Sequence, residues 1–269
     1  MAAMLLAAIY SVTERPNWSN FGESMRMGAR LGLLRAAIFG LALTASPAGA
    51  DELALFNAAV EEAASHNRVA LGYLRTENVD LAAIELGRLR EAWSALAARF
   101  GKTPPAALRD NPLYITTLVD VPMRVIAAAM MIDMGRPDIA RDSLLGIRAG
   151  ISAMRRASHI EVLADCVLDA NGAMDALFVY RDSPPDWTIA DISAEVAAKG
   201  DAYAALLKKC DSMAPADLRA SAEFRRLLDG ALASLALVRK AIETRDDDLL
   251  HRLLIELRSF DNLLAFRFG

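Results

Sequence analysis

The residues here whose types could do chemistry are two cysteines, three histidines, a run of methionines and a recurrent arginine. Cys166 and Cys210 make one even pair, which in an exported chain points to a disulfide. They fall on successive segments that read as an antiparallel helical hairpin, close to level with one another. The alternative is two separate buried thiols. His66, His159 and His251 lack metal-ligand spacing: no two stand four apart, and there is no Cys-x-x-Cys-His for covalent haem attachment. His66 and His159 sit at the edges of apolar faces, as boundary histidines do, and His251 falls with Asp247 and Arg258 on a solvated face. Met123, Met130 and Met134 form a stripe that could offer thioethers to copper(I). The same stripe coincides with the apolar face of its segment, and the expected role is core filler.

A three-fold signature carries the arginines. Asp80-Leu81 is followed by Leu86, Leu89 and Arg90. The pattern returns as Asp138-Ile139, Leu144, Ile147 and Arg148, and again as Asp248-Leu249, Leu254, Leu257 and Arg258. Repetition of this kind indicates one helical hairpin used several times. The aspartates complement a helix N-terminus. Asp246-Asp247-Asp248 reads the same way and not as a cation site. The arginines are expected to be surface or inter-hairpin pairing residues, with anion binding as the other possible role. No G-x-S-x-G, P-loop or H-E-x-x-H occurs, so a catalytic assignment has no motif behind it.

The chain has 269 residues, 54% hydrophobic, 6% aromatic and 24% charged, with a formal charge of −4. Abundant Ala, Leu and Arg with few strand formers predict an all-α protein. Apolar periodicity places helices at about 52–75, 79–99, 121–134, 137–156, 159–181, 189–210, 215–244 and 246–266. Asn78 is the expected cap of the second, and Pro122 should begin or kink the third. Eight helices in four hairpins fit tandem antiparallel four-helix bundles, 51–157 and 158–269.

Residues 25–50 have the layout of a signal peptide. Arg26, Arg30 and Arg35 precede an apolar run over Ala36–Thr44, and Ala48-Gly49-Ala50 precedes polar Asp51-Glu52. Cleavage near Ala50 and a periplasmic or secreted product are expected. The polar stretch before Met25 leaves the translation start open between Met1, Met25 and Met27. Without Arg15, Arg26, Arg30, Arg35, Glu14 and Glu23, residues 51–269 carry 26 basic against 32 acidic residues, a charge of −6. An acidic chain of this kind is a poor nucleic-acid binder, and no later uncharged run reaches membrane-spanning length.

The hairpin from Ala70 to Trp93, ALGYLRTENVDLAAIELGRLREAW, resembles hairpins of the periplasmic four-helix-bundle cytochromes, the c-prime class and its b-type relatives. The resemblance implies the scaffold. In that family a histidine late in the last helix holds haem, whereas the last helix here ends LLAFRFG with no such histidine. Tyr73 to Ala82, and Met131 through Gly135 to Ala140, are also similar to tetratricopeptide repeats, the alternative fold, although that family's period of about 34 residues differs from 58 here. The expectation is an exported, soluble, non-catalytic binding or interaction protein without a cofactor. Its partner would be an envelope protein or a small molecule, and a homodimer is possible. The competing expectation is a redox or metal protein with haem b or copper held by Met and His.

Overall fold

The computed structural model describes residues 48–269, which are helical and turn segments with no strand among them. The signal-peptide features before Ala48 and the alternative starts lie outside the described residues. The long helices are α1 (Ala48–Arg75), α2 (Val79–Phe100), α3 (Tyr114–Asp133), α4 (Pro137–Ala157), α5 (Leu163–Phe178) and α6 (Ile192–Met213). A single turn, α7 (Ala216–Arg219), then leads into α8 (Ala222–Thr244) and α9 (Asp247–Phe268). The all-α expectation holds. Successive helices pack in pairs, α1 with α2, α3 with α4, α5 with α6 and α8 with α9.

The turn that makes three of these pairs is the same each time, and it explains the repeated signature. Glu77, Gly135 and Arg245 are each held at positive φ (60°, 71° and 54°). The following backbone N–H, of Asn78, Arg136 and Asp246, donates back five residues to the carbonyls of Tyr73, Met131 and Ala241, at 2.9, 2.7 and 2.9 Å. This is the Schellman closure, which satisfies carbonyls left over at a helix end. Two residues beyond the donor stands Asp80, Asp138 or Asp248, in the first turn of the next helix. Six and nine residues after each aspartate the apolar positions point inward. Leu86, Leu89, Leu144, Ile147, Leu254 and Leu257 are all buried.

Burial among the described residues divides into two clusters. One is built from α1–α4 around Trp93, Phe56, Leu89 and Met154. The Trp93 indole N–H donates to the Leu118 carbonyl at 3.1 Å, so this large side chain is buried with its polar atom satisfied. The other cluster is built from α5, α6, α8 and α9 around Tyr203, Phe224, Met174 and Leu177. Here Cys166 of α5 meets Cys210 of α6 as a disulfide, with Cα atoms 5.5 Å apart. That separation lies in the ordinary range for such a bond. Gly230 of α8 lets the Phe260 ring of α9 come so close that a Cβ would stand 2.7 Å from it.

Three local expectations are corrected. α3 begins at Tyr114, not near 121, and runs through Pro122. The proline lies in the third turn of an already established helix. Asn78 does not cap α2 with its side chain, which instead donates to the Thr76 carbonyl at 3.1 Å. The segment from 215 to 244 is interrupted at Ala220–Ser221, where the Ser221 hydroxyl accepts from the Phe224 N–H at 3.3 Å and caps a fresh helix.

The shared turn predicts an opposed pair of effects. Gly135→Ala should destabilise the protein by about 1 kcal/mol, and Arg245→Gly should stabilise it by about 0.5–1 kcal/mol, because glycine alone enters the left-handed region without a Cβ penalty. Urea unfolding followed by helical circular dichroism measures both. Changes of the same sign would show that the turns do not limit stability.

A candidate anion-binding cleft

Where α1 and α4 face α5 and α9, a cleft of about 400 Å³ opens between the two clusters. Its walls are apolar in part, from Leu71, Leu145, Ile151, Leu168 and Phe266. Six arginines line it against four carboxylates, Glu61, Asp165, Asp175 and Asp261. The arginines recur because Arg148, Arg155, Arg68 and Arg75 each stand seven residues from the next on their helix, which keeps them on one face.

Most of these charges are paired. Arg155 and Asp165 are both buried, with Nη1 of the one 3.4 Å from Oδ1 of the other. Arg155 Nε also donates to Asn57 at 3.2 Å. Arg68 pairs with Glu61 at 2.5 Å and donates to the backbone oxygens of Phe266, at 3.1 Å, and Gly269. Arg258 reaches Asp175 at 2.7 Å and Asp261 at 3.2 Å, and lies over the Phe178 ring at 4.4 Å.

Arg148 differs. Like the exposed Arg75 and Arg141 it has no carboxylate within ion-pair distance among the described residues, but it is half-buried. Its guanidinium donates to the side-chain oxygen of Asn171 at 2.5 Å and to the Ala164 carbonyl at 3.2 Å, and its Nε has no partner. Burial, and then the neighbouring Arg68 guanidinium, push it down to about 10. Asn67, only 3% exposed, donates to the Leu144 carbonyl at 3.4 Å and leaves its oxygen without a donor. The cleft therefore holds an undercompensated cation and an orphaned acceptor on its α1–α4 wall.

On the opposite wall Asp261 accepts from Asn171 at 2.7 Å, from the Tyr203 hydroxyl at 3.4 Å and from Arg258. Burial raises its carboxyl above the ordinary range, although Asn171 and Arg258 both oppose the rise. Burial, with Asp261 adding to it, likewise raises Tyr203.

Of the residues singled out in the sequence, Arg148 and Arg258 come together in this cleft, whereas Arg90 is exposed on α2. Asp80, Asp138 and Asp248 remain at helix starts, well apart in the chain and outside the cleft. His66 is half-buried with Nδ1 2.7 Å from Glu85, and Arg88 meets the same carboxylate at 2.6 Å. His159 is the positive-φ residue of the turn after α4, and His251 is exposed with Nδ1 3.2 Å from the Arg181 carbonyl. No three His, Cys, Asp or Glu side chains gather as a metal set among the described residues. The core role expected of Met123, Met130 and Met134 is overturned: all three are exposed, two on the outer face of α3 and Met134 just past its last residue. Arg68, Arg155 and Asn67 were missed. The seven-residue arginine spacing on α1 and α4 was the available signal. Compared with protein-family models, curated proteins and solved structures, the chain matches none.

Two outcomes follow. Asp165→Asn leaves the Arg155 charge buried without its counter-ion and should cost about 3 kcal/mol. Replacing both, as Arg155→Met with Asp165→Leu, should recover most of that loss in the same urea titration. The fold raises the Asp261 carboxyl above its unfolded value, so its contribution is full below the ordinary carboxylate pKa and is lost as pH rises through its raised value. Asp261→Asn should accordingly gain on the parent chain as pH rises above about 4, then hold a constant gap. A pH-independent difference would contradict the raised carboxyl.

Proposed function

We propose that this is an exported, non-catalytic binding protein that takes a small organic anion with an apolar body in the cleft between its two helical sets. The observation that carries the reading is Arg148. A half-buried guanidinium whose Nε has no partner, depressed by burial and by Arg68, gains a counter-charge from an added anion. Carboxylate and phosphate both match a guanidinium donor pair. A hydroxyl or N–H on the same ligand would satisfy the Asn67 oxygen. The apolar walls suit a hydrocarbon body, and the volume lies within the roughly 300–1,000 Å³ of small-molecule sites. The disulfide agrees with an oxidising compartment, which supports export together with the layout of residues 25–50. No observation favours haem or copper at this cleft.

Decanoate and decyl phosphate serve as probes, with decanol and inorganic phosphate as controls lacking the charge or the chain. Calorimetric titration should give saturable binding of at least one amphiphilic anion and little of either control. Arg148→Met, checked for an unchanged helical spectrum, should weaken that binding tenfold or more. Failure of both anions to bind at millimolar concentration, or equal binding by the variant, would exclude this ligand class.

A further inference from the structure

α3 carries apolar residues on two sides. Its inner face, with Leu118, Val121, Val125 and Ala128, is buried in the first core. Its outer face presents Ile115, Val119, Met123, Ile126, Met130 and Met134, each between 46% and 66% exposed. Their spacing is four, four, three, four and four residues. At 3.6 residues per turn the six positions fall within roughly 100° of arc, so they form one broad apolar band along the helix.

The spacing is also symmetric about its centre, between Arg124 and Val125. Laid antiparallel against a second copy across a two-fold axis, Ile115 meets Met134, Val119 meets Met130, and Met123 meets Ile126. Every contact then sets a stiff branched side chain against a flexible methionine, which can shape itself to the partner. Two-fold interfaces are self-complementary in this way, with residue i on j and j on i.

We propose that the outer face of α3 is a homodimer interface in which two copies pack antiparallel across a two-fold axis. At the observed exposures the six side chains present on the order of 700 Å² per copy, near the roughly 800 Å² per partner of a standard stable interface. Of the charges on α3, Asp120 and Arg124 bridge each other at 2.5 Å beside the stripe, and the exposed Asp133 at its C-terminal end falls opposite Thr116 of the second copy. α3 is also long and apolar enough to cross a bilayer by length and composition. A lipid surface is the poorer fit. Membrane-surface helices carry free basic residues on the polar face, whereas Arg124 and the nearby Arg136 are each held by an aspartate and residues 51–269 are net acidic.

The test is sedimentation of the purified full chain, with a pelleting assay on phosphatidylglycerol–phosphatidylcholine vesicles run in parallel. The parent chain should sediment as two copies at micromolar concentration. Val119→Glu and Met130→Lys should each sediment as one copy with an unchanged helical spectrum, because both positions are exposed in the single chain. Mixing the two variants should restore a dimer, since antiparallel pairing places the new carboxylate of one against the new ammonium of the other. A parent chain that remains a single copy at hundreds of micromolar, or that enters vesicles as one copy, overturns the proposal. Two monomeric variants that stay apart when mixed overturn the antiparallel pairing.

Discussion

The hairpins depend on a reversal made in two or three residues, and that reversal depends on a residue held left-handed. With Glu77, Gly135 or Arg245 at positive φ, the next N–H bonds five residues back and the chain leaves the helix at once. The next helix then starts with an aspartate in its first turn, where the exposed N–H groups favour negative charge. Because the reversal is short, the paired helices are antiparallel neighbours. The position of the apolar residues within each repeat is then enough to aim them inward. Two of the three turns achieve this with a non-glycine residue, so the spacing persists in the sequence while the glycine that usually advertises such a turn does not.

What the hairpins bury among themselves leaves a seam that neither cluster closes. The facing surfaces of α1, α4, α5 and α9 cannot both serve their own cores and pack apolar side chains against each other, and the seam is filled by arginines, carboxylates and amides. Such groups are costly to remove from water unless each finds a partner. Arg155 with Asp165, and Arg258 with Asp261, do so. Arg148 finds an amide and a carbonyl, and Asn67 is half satisfied. The cleft thus combines an incompletely matched charge with hydrocarbon walls, and that combination gives it binding capacity that the packed cores lack.

The eight long helices, their pairing and the Cys166–Cys210 hairpin were legible because they rest on periodicity, on punctuation by Gly, Pro and Asp, and on chain spacing, whereas the single turn α7 was not. The cleft was legible in part. Arg148 and Arg258 stand out as members of a repeat, but repetition alone does not distinguish them from Arg90, which meets solvent. Which arginine lies at the seam depends on how the two sets of helices are placed, a long-range property absent from any local window. Arg155 was hidden for a related reason. It ends a helix beside Arg156, where one basic residue looks like another, yet the buried Asp165 lies across the seam from the first and the half-buried Asp169 pairs with the second.

The methionines of α3 show where apolar periodicity misleads. The inference from apolar to buried assumes that a helix has one hydrophobic stripe and a core on one side. α3 has two stripes, and its neighbours α2 and α4 cover only the one that holds Leu118, Val121 and Val125. A sequence window counts both stripes together and reports a strongly apolar helix, for which burial is the natural reading. Separating them requires the register: 118, 121, 125 and 128 on one side, and 115, 119, 123, 126, 130 and 134 on the other. Once separated, the outer set is too long, too continuous and too symmetric to be a scatter of surface hydrophobics, since monomeric proteins rarely leave more than about 300–600 Å² of contiguous apolar surface in water. Methionine side chains, soft and flexible, make good contacts for a copy of themselves.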